Sequence, residues 1–515
     1  MSRQSQRLRP LRIGALCLVG ALALAAAGCG TDSTTASTGT GTARGSLLHD
    51  PPLRIASLDA TTFDAELGAS TSGAQLLQVA GTPTCGVDFY YIEYNTVGGK
   101  GEATTASGAL MVPTGSAAQC SGARPIVLYA HGTATDRAAN IADITNTGNT
   151  EGALIAAMFA AHGYIVVAPN YAGYDSSTLS YHPYLNADQQ SKDMIDALTA
   201  ARTALPHTQT ASITDGGKLF ITGYSQGGYV AMATHRAMQA AGMTVTASAP
   251  MSGPYALEAF GDAVFYGQVN IGSTIFTPLL VTSYQQAYGN IYHELTDVYE
   301  AAYAPKMANV LPSNTPIDTL FQNGTLPRTA LFNSTPPVSG NATLDAELEV
   351  PANPVFASGF GTANLVTNAM RLAYVLDAVA SPDGAVPTPT AGVAVAANPQ
   401  NTLRQAFKTN DLRNWIPQRP LLMCGGDQDP TVFFGVNTLV MQQYWAALPN
   451  GAITVVDLNA AVTGPTDPFA AAKVGYQTTI AGIASSGGQS AAVQAIHTTE
   501  APFCTAVARG FFAQF

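Results

Sequence analysis

Basic side chains are scarce in this sequence: 22 lysines and arginines stand against 33 aspartates and glutamates in 515 residues, a formal net charge of −11. No stretch gathers them into the cationic patch that neutralises phosphates, which sets nucleic acid aside as a partner. Charge of either sign is sparse, at 11% of residues against 47% hydrophobic. That balance suits a large core with an apolar binding surface and excludes extended disorder beyond the N-terminal tail. Long apolar runs are also lacking. Residues 15–27 fall short of the ~20 that a bilayer-spanning helix needs, and no later stretch of that length is free of polar residues. No Cys-x-x-Cys pair exists to nucleate a zinc site, so no metal is expected.

Arg3, Arg7, Arg9 and Arg12 precede the apolar run, which ends at Gly28-Cys29. A basic n-region, an apolar h-region and a small-residue cleavage site predict an export signal over residues 1–28. Ala26-Ala27-Gly28-Cys29 resembles a bacterial lipobox, in which the cysteine is lipidated and attaches the chain to a membrane; the alternative is an ordinary signal peptide that happens to hold a cysteine. Residues 29–50 read as a flexible linker, those at 30–46 being mostly Gly, Thr, Ser and Ala. Of six cysteines, Cys17 leaves with the signal and Cys29 would carry the lipid. The remaining four allow three pairings, of which Cys85 with Cys120 and Cys424 with Cys504 is favoured in an oxidising compartment.

From about residue 87 short apolar runs alternate with helical patterns, the signature of a mainly parallel sheet flanked by helices. Residues 87–94 and 104–112 predict an antiparallel opening pair around Gly98-Gly99. Residues 126–130, 164–168, 218–222 and 244–249 predict buried strands, with helices over 186–204 and 226–241 between them. After Pro250 the rhythm breaks into loosely helical, aromatic-rich sequence, and strand-like runs resume at 420–424 and 453–458. The chain therefore divides into a first core part at 51–254, a large, mostly helical cap insertion at 255–415 and a second core part at 416–515.

Gly223-Tyr224-Ser225-Gln226-Gly227 is a weak signal alone, because Gly-x-Ser-x-Gly arises readily in a chain with 49 glycines. Its context strengthens it. An apolar strand precedes it and a helix follows, as in the sharp turn that presents a nucleophilic serine in an α/β-hydrolase fold. The helix N-terminus favours negative charge developing near Ser225, and the Gln226 amide is a natural oxyanion donor. His131-Gly132-Thr133 follows the strand at 126–130 and offers the Thr133 amide as the second donor. His131 itself reads as a loop brace. A serine nucleophile needs a base and a carboxylate, and this fold supplies them in the order Ser, acid, His. Asp429 is favoured as the acid, with Asp427 as the alternative. Only His497 lies downstream of both. His235, ten residues past Ser225 on the same helix, is too far along to reach the hydroxyl and reads as a helix-surface residue.

The nucleophile motif, the 129–133 loop, Pro169-Asn170-Tyr171-Ala172-Gly173, the helix around Asp196-Ala197 and Asn410-Asp411-Leu412 together resemble the secretory lipase family of the fungal lipase A type, over residues 85–254 and 405–515. The resemblance implies hydrolysis of carboxylic esters of lipids by Ser225, Asp429 and His497, without metal or organic cofactor, under a cap that covers an acyl tunnel. The inserted segment itself has no match to the family. Two other readings stay open: an exopeptidase or thioesterase on the same scaffold, which would need charged groups lining the cap, and a non-catalytic envelope lipoprotein.

Overall fold

The computed structural model describes residues 43–146, 148–210, 212–386, 393–449 and 452–515. The expected export signal and Cys29 lie outside these residues. Among them, nine strands form one sheet: β1 (Leu53–Leu58), β2 (Gly86–Val97), β3 (Ala103–Thr114), β4 (Gly122–Ala130), β5 (Ile165–Pro169), β6 (Ile213–Tyr224), β7 (Ala247–Met251), β8 (Leu421–Gly425) and β9 (Ile453–Asp457). The spatial order is β1-β2-β3-β5-β4-β6-β7-β8-β9. β1, β2, β3 and β5 pair antiparallel, and every pair from β5 across to β9 is parallel.

The apolar runs predict these central strands because both faces of a parallel sheet are covered. Side chains alternate across the pleat. Ile126, Leu128 and Ala130 of β4 enter one core with Ile165 and Val167 of β5. Val127 and Tyr129 enter the other, with Val166 and Ala168. The helices Ala187–Ala204 and Gln226–Ala240 cover the first face through residues such as Met194, Leu198, Val230 and Met232. The helix Thr150–Met158 and the C-terminal helical stretch Ala470–Phe512, which bends at Gly488, cover the second through Ile155, Phe503 and Phe512.

Three sequence readings need adjustment. β1 carries no buried alternation and went unpredicted; it is an edge strand, held by pairing with β2. Residues 43–48, assigned by composition to the linker, lie along β2, where Gly45 N donates to Asn95 O and Leu48 N to Glu93 O, while Arg44 pairs with Asp196. His235 is fully buried, not on the helix surface. Its Nδ1 is 2.7 Å from Ser248 Oγ on β7, and burial lowers its pKa to about 4. The disulfides Cys85–Cys120 and Cys424–Cys504 are both present as expected.

Between β7 and β8 the chain leaves the sheet for residues 252–420. This stretch contains the helices Leu257–Phe265, Ser273–Tyr288, Asn368–Ala380 and Thr402–Asn410, with shorter ones among them. Its entry and exit meet, since Leu412 N donates to Tyr255 O at 3.0 Å and Glu258 N to Asp411 Oδ2 at 3.1 Å. Buried ion pairs brace it. Arg413 bridges Asp383 and Asp411, and Arg404 holds Asp262 and Asp377, each at 2.9 Å, with Glu258 farther off at 3.6 Å.

Candidate active site

Strand register decides what meets at the carboxyl edge of the sheet. Ala130 of β4 is level with Gly223 of β6, Tyr224 with Met251 of β7, and Met251 with Cys424 of β8. The segments that follow, His131-Gly132-Thr133, Ser225, Ser252 and the loop from Gly426, therefore emerge together. In sheets of this kind ligands bind at that edge.

Ser225 sits between β6 and the helix Gln226–Ala240 with φ 59° and ψ −121°. A non-glycine residue in that region costs of order 1–3 kcal/mol and persists only where the surroundings enforce it. They do so by close approach. Ser225 N donates to Met251 O at 3.0 Å. A Cβ on Gly228 would stand 2.2 Å from Met251 O, and one on Gly223 2.4 Å from Ala130 O. The helix is thus pulled down onto β4 and β7, and the serine is held above the sheet edge.

Ser225 Oγ is 2.9 Å from His497 Nε2, and His497 Nδ1 is 2.6 Å from Asp429 Oδ2. Asp429 is 4% exposed, and its other oxygen accepts from Thr431 N and Val432 N. These amides fix the carboxylate toward His497, so Nδ1 donates to it and Nε2 is left to accept from the serine. Asp427 is exposed on the same loop, its amide donating to Asp457 Oδ1, and burial together with the Asp457 charge raises its pKa. Of the two carboxylates the structure brings Asp429 to the histidine. Cys424 at the end of β8 is bridged to Cys504, seven residues beyond His497, tying the acid and base elements together.

The Gln226 amide opens the helix, where first-turn N–H groups have no intrahelical acceptor. Its side chain is held too. His182 Nδ1 donates to Ala172 O at 2.9 Å, which leaves Nε2 to accept from Gln226 Nε2 at 2.7 Å. Burial lowers the His182 pKa to about 3, so the ring stays neutral. In the facing loop Gly132 N is committed to Glu151, whose Oε1 also accepts from Tyr129 OH. That leaves Thr133 as the loop's candidate donor, with its Oγ1 2.8 Å from Tyr184 OH. His131 braces the loop through Asn170 O at 3.1 Å and by stacking on Tyr171.

Sequence reasoning missed Glu151, His182, Tyr224 and Glu500. The first two are anchors whose partners lie on other segments. Tyr224 OH donates to His497 O and lies 3.3 Å from the buried carboxyl of Glu500. Only the i,i+3 spacing of His497 and Glu500 hinted at the last.

From Ser225 a partly open cavity runs along the inserted segment. Leu257, Phe260, Val264, Phe276 and Leu280 form its wall, with Phe407 and Val432. Among the described residues that line it, none is charged.

A model of the prolyl oligopeptidase family (peptidase S9) matches residues 152–263. No curated protein sequence matches the chain. Among solved structures, the ligand-bound rice cell wall degrading esterase LipA from Xanthomonas oryzae aligns at 26% identity and a TM-score of 0.64, over 91% of this chain and 98% of that one. A putative hydrolase from Legionella pneumophila aligns at 18% identity and a TM-score of 0.61, over 91% and 97%. Candida antarctica lipase A, at 12% identity and a TM-score of 0.40 over 81% and 77%, is too distant to bear on function.

Proposed function

We propose that this chain, a serine hydrolase with the α/β-hydrolase fold, cleaves carboxylic esters whose acyl group enters the apolar cavity beside Ser225. The reading is carried by one observation: the hydrogen-bonded chain Ser225–His497–Asp429 opens onto a cavity with no charged lining among the described residues. Such a wall suits a hydrocarbon acyl chain, while a charged peptide terminus would be stranded there without a partner.

Ser225 Oγ attacks the ester carbonyl as His497 Nε2 takes its proton, and Asp429 stabilises the imidazolium. The tetrahedral oxyanion rests on the amides of Gln226 and Thr133, each contributing about 3 kcal/mol to the transition state. His497 returns the proton to the leaving alcohol. Water then repeats the sequence on the acyl-enzyme and frees the acid. None of these steps calls on a metal or cofactor. The resemblance to the fungal lipase A type supports a lipid or other acyl ester as substrate, and the inserted segment acts as the cap that selects it. The basic n-region and Cys29 support export and attachment to a membrane, with the disulfides compatible with that compartment.

The family match at 152–263 favours a second reading, a serine exopeptidase. It is weaker because, among the described residues, no carboxylate or cation lines the cavity to hold a peptide terminus. Purified mature protein is expected to hydrolyse p-nitrophenyl butyrate and Ser225→Ala to lose the activity. Aminoacyl anilides should be poor substrates in the same assay. An active Ser225→Ala enzyme, or anilides preferred over esters, would overturn the proposal.

A further inference from the structure

One buried carboxyl beside the acid has no part in the steps above. Glu500 lies one helical turn beyond His497 and is fully buried. Ser252 Oγ donates to its Oε2 at 2.7 Å, and its Oε1 has no partner among the described residues. Oxygens of Glu500 and Asp429 and a ring nitrogen of His497 all lie within 4.8 Å of one another. The cluster is not offered as a cation site, since both His497 nitrogens and both Asp429 oxygens are already engaged.

The groups facing Glu500 are Tyr224 on β6, Ser252 after β7, Asp429 on the acid loop, Asp457 at the end of β9, and Tyr476 and His497 on the C-terminal helices. No lysine or arginine pairs with it among the described residues. Burial first, and then the Asp429 charge, hold its carboxyl well above the usual range.

We propose that Glu500 is a reserve acid for His497: a second carboxyl beneath the imidazole that takes over from Asp429 when the charge of Asp429 is removed. The proposal rests on the esterase reading. Losing the Asp429 charge removes the repulsion that adds to burial in raising the Glu500 carboxyl, and the imidazolium forming at His497 favours its carboxylate. Glu500 then gives its proton to solvent, and its carboxylate stands within 4.8 Å of His497 to offset the imidazolium formed when Nε2 takes the Ser225 proton. In the intact protein the protonated side chain has a positioning role, bracing the end of β7 through Ser252 and the His497 main chain through Tyr224.

The test is a double-mutant cycle on the full-length protein with p-nitrophenyl butyrate, with Tm measured for each variant. Glu500→Gln alone should lower kcat/KM about fivefold and Asp429→Ala about a thousandfold, while the pair should fall beyond the product of the two, by about a hundred-thousandfold. A merely structural Glu500 gives a product and no more, and that result overturns the proposal. So does a Glu500→Gln loss as large as that of Asp429→Ala. Should the pair fail to fold, the acid limb of Asp429→Ala decides. Two groups must then be deprotonated, so log kcat/KM should rise with a slope of 2 where the wild type rises with 1, and a slope of 1 overturns the proposal. Full activity of Ser225→Ala would instead sink the esterase reading itself.

Discussion

Gly227 faces the carbonyl oxygen of Ala130 so closely that a Cβ on it would stand 1.9 Å from that atom. Nothing shorter than a backbone shift relieves such a clash. Gly227→Ala should therefore push the nucleophile helix off β4 and lower stability by more than about 3 kcal/mol, read as loss of soluble protein or a large drop in Tm. Gly132→Ala is the contrasting case. Its Cβ would meet Tyr224 O at 3.5 Å and Ser225 Cβ at 3.8 Å, ordinary contacts. It should fold with the wild-type Tm yet lose about tenfold in kcat, because the methyl crowds the space between serine and oxyanion loop. Equal Tm losses in the two variants would contradict this account.

The Cys424–Cys504 bridge closes an 80-residue separation across the acid and base elements. Chain-entropy reasoning assigns such a bridge about 4 kcal/mol. Cys424→Ser with Cys504→Ser is expected to lower Tm and to reduce kcat more than KM, since the histidine and its carboxylate lose register while the acyl cavity is untouched. A change confined to KM would argue that the bridge steadies the cavity instead.

Chain-length selection should respond to the wall. Val264 lines the cavity and is half-buried. Val264→Phe adds bulk there and should cut kcat/KM for p-nitrophenyl decanoate by about tenfold while sparing the butyrate. If both esters suffer alike, the acyl chain lies elsewhere.

Stability should fall as the solution passes from pH 6.5 toward 8.5. Arg404 is shared by three carboxylates, and Glu258 is the distant one; burial and Asp383 push its pKa up to about 8. Burial raises Glu500 in the same direction. Both groups keep protons in the folded chain that the unfolded chain releases above about pH 4.5, the usual glutamate value. The two groups thus add most to stability below that pH and progressively less as pH climbs toward 8, whereas buried neutral histidines such as His182 and His235 cost stability as pH falls below 6.5. Above pH 6.5, where those histidines are neutral in either state, Tm should decline to pH 8.5, and Glu258→Gln should flatten the decline. A variant whose curve parallels the wild type would refute the assignment.

Much of this was legible in the sequence for a physical reason. Central strands buried on both faces must be apolar throughout, so β4, β5 and β6 announce themselves, and Ser225, Asp429 and His497 follow in the order in which this fold brings such residues to one sheet edge. What was illegible depends on contacts between distant segments. Asp427 and Asp429 look alike until the Thr431 and Val432 amides orient one of them. The helical period could not tell that His235 faces Ser248 rather than solvent. Glu500 is invisible as a site neighbour because Tyr224 and Ser252, the residues that enclose it, lie about 250 positions away.

Leu412 N reaching back to Tyr255 O makes the long excursion between β7 and β8 topologically a loop whose two feet are one hydrogen bond apart. Feet so close let the segment between them change in length without spreading β7 from β8, provided the apolar side chains it shares with the sheet core are kept. Nature and the engineer then have the same opportunity: to vary the stretch between positions 255 and 412 where it faces the cavity, leaving Ser225, Asp429 and His497 at the sheet edge and changing what is admitted to them.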